Sequence, residues 1–365
     1  TSTDVALLDG DIRLTQQGHI GPYPVAVPTV DMHTIGAGGG SLAYVDDAGL
    51  LHVGPQSAGA DPGPACYGKG GQQVTVTDAN VVLGRLQPDF ALGGSLALDV
   101  PAAEQAMDRL AQALGLTRQQ AADGVLALAN EHMTQALRVI SIQKGFDPAD
   151  FALMSFGGAG GLHVCALADN LGMTQAIVPQ RAGVLSAEGL VYAPRKREML
   201  QALPEQVDEP LLHERIAQLQ QQGQAELIAE GVSADRIRHR VFVDMCYRGQ
   251  SSVLQIDWEP TLADRETGFH TAHQQRFGHQ LGLPVEQVNL RVQSQAQNSP
   301  PAQPDRHTRS ASAERLITLP GIDTPVAVYN RESLGAGQRI AGPALIYEAV
   351  GTTWLAADWH ATVDS

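Results

Sequence analysis

Apolar positions recur at helical spacing through the middle of the chain and alternate with polar ones towards both ends. From Pro101 the face Ala106, Met107, Leu110 and Leu114 predicts a helix with proline in its first turn, closed by Gly115. Thr117 is placed to cap a second helix. Its inner face reads Ala121, Val125, Leu128, Ala129, His132, Met133, Ala136, Leu137 and Ile140, ended by Gly145. That stripe puts His132 in the core. Phe151 to Phe156 reads as a short strand, followed by the turn Gly157-Gly158-Ala159-Gly160-Gly161. A helix from Leu162 to Leu171, stopped by Gly172, and a strand at Ala176 to Val178 come next. Strand, glycine turn, helix and strand make a βαβ unit, with helices on the face of a sheet.

Nearer the start, Thr3 to Leu8 and Ile12 to Leu14 flank Asp9-Gly10 and predict a hairpin. Ser41 to Val45 and Leu50 to Val53, joined through Asp46 to Gly49, predict another. Thr75 to Thr77 alternates and stops at Asp78. Beyond Pro194 to Arg197 the composition changes. Leu211 to Gly231 is a polar helix with a narrow seam at Leu212, Ile216, Leu219 and Leu227. Arg240 to Tyr247 and Ser252 to Ile256 alternate as strands. Gln293 to Ser310, rich in Gln, Pro and Ser, reads as a linker, and the tail from Ala313 to Asp364 is strand-like. The composition shift places one boundary near residue 200, giving domains 1–200 and 201–365.

With 365 residues, 43% hydrophobic and 17% charged, the chain has enough apolar material for two globular domains. No apolar run reaches the ~18 residues that span a bilayer. A net charge of −15 argues against nucleic acid or an anionic membrane surface as partner. The three cysteines are far apart, show no disulfide framework, and fit a reducing cytoplasm.

Glycine is concentrated between Val30 and Arg85, where backbone must bend or approach something closely. Gly36 to Ser41, with Gly38, Gly39 and Gly40 at its centre, could form a nest of N–H donors for an anion, or a flexible hinge or bulge between strands. Gly157, Gly158 and Gly160 lie between a strand and a helix N-terminus, a place suited to a ligand phosphate or to tight packing. Asp31 and His33, two apart on an extended segment, face one side. With His163 on the first turn after Gly161, and with Asp78, they have the chemistry of an acid–base or metal site. His270, His273 and His279 have no zinc spacing and read as a solvated helix face.

Three strings carry a resemblance: TIGAGGGS at Thr34 to Ser41, VGPQSAGADPGPACYGKGG at Val53 to Gly71, and TVTDAN at Thr75 to Asn80. Together they resemble the hydantoinase A / 5-oxoprolinase family. Matches weaken after about residue 200, where YRGQS at Tyr247 to Ser251 and GPALIYE at Gly342 to Glu348 are the best. The resemblance implies the second half of an actin-like (ribonuclease H-like) ATPase, α/β in class, followed by a smaller α+β domain. It implies ATP and Mg²⁺ as cofactors, a small cyclic amide or carbonyl substrate, and a cytoplasmic oligomer with a hydantoinase B-type partner. Thr1, Ser2 and Thr3 look like the tail of the family's second phosphate loop, whose preceding glycines are absent here. The resemblance thus implies a C-terminal piece of a longer protein, expected to be inactive alone. Phe156 to Gly161 would line the adenosine side. Two other readings stay open: a non-catalytic scaffold for the partner, or an N-terminal Thr amidohydrolase acting through Thr1.

Overall fold

Side-chain caps start the helices that the periodicity predicts. Asp99 accepts the Ala102 N–H, and Thr117 forms a reciprocal capping box with Gln120. The computed structural model describes residues 2–15, 18–20, 23–25, 29–90, 96–205, 207–250, 252–297 and 310–364. Its contacts divide the chain into a unit of Thr1–Glu188 with Pro304–Ser365 and a unit of Gly189–Gln303.

In the first unit, β1 (Thr3–Ala6) runs antiparallel to β2 (Met32–Ile35), with Val5 opposite His33. The expected first hairpin is shorter than predicted: only Leu8–Asp9 and Asp11–Ile12 pair around Gly10. Long-range pairing with β2 claims Thr3–Ala6 instead. Next, β3 (Ser41–Val45) is central in a sheet with β4 (Leu51–Ser57) and β5 (Val74–Thr75). The predicted alternation at Thr75 to Thr77 ends sooner, because Thr75 caps α1 (Val76–Val82). Asp78, within that first turn, accepts N–H groups from Ala65, Cys66 and Thr75 and the Thr75 hydroxyl. It is fully buried and ties the Ala65–Tyr67 turn to the helix.

Helices α2 (Val100–Leu114) and α3 (Arg118–Ile140) pack with α1 around Met107, Ala121, Val125 and Ala129, all fully buried. The stripe on α3 holds at Ala121, Val125, Ala129, Met133, Ala136 and Ile140 and differs at its edges. Ala122, Leu126 and Thr134 are buried, while Leu128 is half-buried and His132 is exposed. The face is set by α1 and α2 on one side, and a 3.6-residue count alone does not fix its centre. The βαβ order holds: β6 (Leu153–Met154) is parallel to β7 (Ala176–Ile177), with α4 (Val164–Leu171) between. Both strands are two residues long, and α4 begins two residues late, after a 3₁₀ turn at Gly160–Leu162. Then α5 (Leu185–Tyr192) follows.

The second unit is a four-stranded antiparallel sheet. Its members are β8 (Lys196–Ala202), β9 (Ile237–Tyr247), β10 (Leu254–Asp257) and β11 (Val285–Ala296), ordered β8-β11-β9-β10. Helix α6 (Glu209–Ala229) buries Leu212, Ile216, Leu219 and Leu227, the seam read from the sequence. A Cβ on Gly223 of α6 would lie 2.4 Å from Ser294 Oγ, so only glycine lets the helix approach β11 this closely. The expected linker begins later than predicted, since Gln293 to Ala296 pair inside the sheet. On α7 (Leu262–Phe277), His273 is buried, not solvated; its Nδ1 lies 2.8 Å from His279 O. Its ring packs against Tyr247 and Phe269.

The tail returns to the first unit as β12 (Arg315–Ile317), β13 (Val326–Asn330), β14 (Ala344–Glu348) and β15 (Gly351–Leu355). Strands β13 and β14 are parallel, the others antiparallel. Val326, Val328, Leu345 and Trp354 share a core with Cys66, Val81 and Leu162. The division therefore differs from a split into 1–200 and 201–365. It is made by non-local burial of strand faces, which a shift in local composition does not register. Among the described residues no helix is long and apolar enough to cross a membrane.

Candidate functional site

The loop between β2 and β3 is held from several sides. Ser41, fully buried, accepts the Gly38 N–H at 3.0 Å and donates its hydroxyl to Gly36 O at 3.4 Å. Gly39 O receives both the Thr77 N–H at 2.8 Å and the Thr77 hydroxyl at 2.9 Å. Gly40 O accepts the Ala58 N–H at 2.9 Å. Thr3 donates its hydroxyl to Ala37 O at 2.6 Å, which fastens the start of β1 to the loop. Gly38 to Gly40 are thus part of a fixed turn, not a hinge. A Cβ on Gly39 would come within 2.8 Å of Thr77 Oγ1 and 4.0 Å of Ala159 Cβ. The second distance places this loop beside the other glycine turn.

That second turn is anchored by tight packing. Gly157, at φ +86°, donates its N–H to Ala182 O at 2.7 Å. Cβ atoms on Gly158, Gly160 and Gly161 would lie 3.0 Å from Val350 O, 2.5 Å from Ser155 Oγ and 2.7 Å from Thr352 O. The backbone of the β14–β15 hairpin thus excludes a side chain at Gly161, while Val350 O and the Ser155 hydroxyl crowd Gly158 and Gly160. Gly158 and Ala159 nonetheless remain exposed, with Ala159 beside Gly39.

His163 follows this turn and is buried. Its Nδ1 lies 2.7 Å from Asn130 Oδ1 on α3, and its Nε2 is buried with no hydrogen-bond partner among the described residues. With an amide oxygen as acceptor, Nδ1 carries the proton and Nε2 keeps its lone pair. Burial, with a lesser effect from the Arg85 charge, lowers its pKa to about 4, so the imidazole is neutral at pH 7.

Asp31 and His33 are elsewhere. Lys144 Nζ binds Asp31 Oδ2 at 2.6 Å in a partly exposed pair. Asn130, which marks His163, lies ten residues before the end of α3, about 15 Å along its axis, and Lys144 lies beyond that end. The structure does not bring Asp31 and His163 together, and Asp78 is occupied by four donors. Among the described residues no group of three or more His, Cys, Asp or Glu side chains is placed to hold a metal ion. Ser2 donates to Asp4 Oδ2 at 3.3 Å, and Thr34 to Asp4 Oδ1 at 2.6 Å. Thr1 lies outside the described residues.

Sequence reasoning gave the Ser41 side chain no role and passed over Thr77 and Asn130. Thr77 and Ser41 do stand inside the recognised strings, and Asn130 is a polar residue beside the apolar stripe of α3. Those were the available signals. Thr3, the Gly38–Gly40 turn, Thr77 and Ala159 lie close together, with the Thr3 and Thr77 hydroxyls spent on Ala37 O and Gly39 O and the Gly38 N–H on Ser41.

Residues 1–198 match the family model described as hydantoinase/oxoprolinase. The whole chain is 35% identical to the caprolactamase subunit alpha of Pseudomonas jessenii, covering 56% of that protein. It is 31% identical to the 5-oxoprolinase of Dictyostelium discoideum over 96% of this chain and 30% of the relative. The nucleotide-free structure of acetone carboxylase, an ATP-dependent enzyme by its description, superposes with a TM-score of 0.82 at 27% identity. That match covers all of this chain and 56% of the acetone carboxylase chain. The chain thus spans about half, or less, of the length of these relatives.

Proposed function

The chain belongs to the hydantoinase/oxoprolinase family, and from that premise we propose that it forms part of the ATP-using component of an enzyme that opens cyclic amides. The observation that carries the proposal is the meeting of two glycine turns, with Gly39 beside Ala159 and Thr3 fastened to Ala37. In this reading the unit of Thr1–Glu188 and Pro304–Ser365 is one half of an actin-like ATPase. Ser2, Thr3 and Gly38 to Gly40 face the phosphates, and Gly157, Gly158 and Gly160 face the adenosine.

ATP would supply a phosphoryl group to the amide oxygen, with release of ADP; water would then attack the ring carbon, the C–N bond would break with a proton passing to the ring nitrogen, and hydrolysis of the resulting acyl phosphate would release phosphate. The chain's own part is positioning and charge stabilisation. Thr3 and Thr77 lock the first turn, so that its outward N–H groups are pre-oriented. Ser41, by taking the Gly38 N–H, removes one donor from that set. Mg²⁺ fits as an ion carried by the nucleotide, keeping most of its waters, because the described residues offer it no carboxylate cluster. His163, neutral and with Nε2 unpaired, fits a hydrogen-bond acceptor better than a general acid. A hydantoinase B-type subunit would complete the enzyme, in the cytoplasm.

Equilibrium binding of a fluorescent ATP analogue to the full-length gene product tests the site. We expect micromolar affinity, lowered at least tenfold by Gly39→Val. Equal affinity in both proteins would move the nucleotide away from this turn.

A further inference from the structure

A cavity of about 470 Å³ lies against the back of the Gly36–Ala37 wall, within the first unit. This is within the size range of small-ligand sites. Its apolar surface comes from Ile35, Leu51, Val53 and Leu128. Its polar groups are Tyr44, His52, His132 and Gln135. Asp46 Oδ2 holds His52 Nε2 at 2.6 Å, and the ring stacks on Tyr44 with centroids 5.3 Å apart. Asp46 also takes the Leu50 and Ala48 N–H groups; the Leu50 bond first, then those to His52 and Ala48, hold its carboxyl below the usual range. A carboxylate at 2.6 Å fixes a proton on Nε2, and in that tautomer Nδ1 is the acceptor. Gln135 uses its Nε2 on Glu131, which leaves its amide oxygen as an acceptor. Among the described residues no hydrogen bond or ion pair engages His132.

None of the twelve residues around the cavity is Lys, Arg, Asp or Glu. A carboxylate or phosphate would find no fixed opposite charge here, whereas a neutral ring with one amide edge would find both of its needs met. We propose that this cavity binds a neutral lactam, with its methylenes on Ile35, Val53 and Leu128 and its amide N–H and C=O on His52, His132 and Gln135. The proposal rests on the cyclic-amide reading above and deepens it. The wall shared with Ala37, whose carbonyl Thr3 holds, sets the lactam behind the turn assigned to the phosphates.

The test is calorimetric titration of the full-length gene product with ε-caprolactam and, separately, with 5-oxoproline, which carries a carboxylate. We expect ε-caprolactam to bind at least tenfold more tightly. Leu128→Trp, which fills the cavity, should weaken it at least tenfold, and Gln135→Ala, on an exposed helix position, about fivefold. Affinity for ε-caprolactam unchanged in both variants, or tighter binding of 5-oxoproline, overturns the proposal. ATP hydrolysis stimulated by ε-caprolactam, measured on the same samples, separates the two readings. Stimulation with variant-insensitive binding defeats the cavity alone. Cavity-dependent binding without stimulation supports the cavity and defeats the ATP-driven reading.

Discussion

Thr77 gives both its backbone N–H and its hydroxyl to one oxygen, Gly39 O, at 2.8 and 2.9 Å. This double hold explains why position 39 is glycine: a Cβ there would press on the same hydroxyl at 2.8 Å. Gly39→Ala should cost about 1–3 kcal/mol through overpacking. Thr77→Ala alone should cost about 1 kcal/mol for the lost side-chain bond. Because the Thr77 hydroxyl is also the clashing atom, the double variant should cost less than the sum of the two. Denaturant melts of the four proteins check this. Strict additivity would show that Gly39 and Thr77 do not meet.

Asp78 answers to four donors at once, and its removal leaves the Ala65, Cys66 and Thr75 N–H groups without their acceptor. Asp78→Ala should destabilise the protein by about 3 kcal/mol or more. A change under about 1 kcal/mol in a thermal or urea melt would contradict the hub role.

His163 links stability to pH. Its folded pKa, about 4, lies below the ordinary 6.5, so the unfolded chain binds more protons between these values. Stability is therefore full above pH 6.5 and falls as pH drops towards 4. The loss is about 3 kcal/mol at 1.36 kcal/mol per pH unit. His163→Gln should flatten that part of the stability curve. An unchanged slope from pH 6.5 to 4 would mean that another group carries it.

Much of this was legible locally. The caps at Thr117 and Gly115, the α6 seam and the glycine turn before α4 all rest on neighbours within a few residues. What was not legible rests on distant partners. Asp31 looks like half of an Asp-His pair until Lys144, more than a hundred positions away, takes it. His132 sits at the edge of the α3 stripe, and only packing from α1 and α2 decides that it faces out. Asp78 reads as an acid until the loop at Ala65 folds over it. The return of Val326 to Leu355 to the first core depends on non-local burial throughout.

The cysteines should be inert. Burial pushes the Cys66, Cys165 and Cys246 thiols up, with the Asp78 charge adding to the effect at Cys66. In the native protein at pH 8 these three should label with maleimide far more slowly than in denaturant, as read by peptide mass spectrometry. Rapid native labelling of Cys66 would contradict its placement in the core.

The central claim, an ATP-driven reaction on a cyclic amide, is tested most directly by ADP release from the full-length gene product together with the proposed partner subunit. The panel would hold hydantoin, 5-oxoproline, ε-caprolactam, and acetone with bicarbonate. We predict release stimulated by a cyclic amide, most strongly by ε-caprolactam. Basal and stimulated rates both at background, with a folded protein and partner, would contradict it.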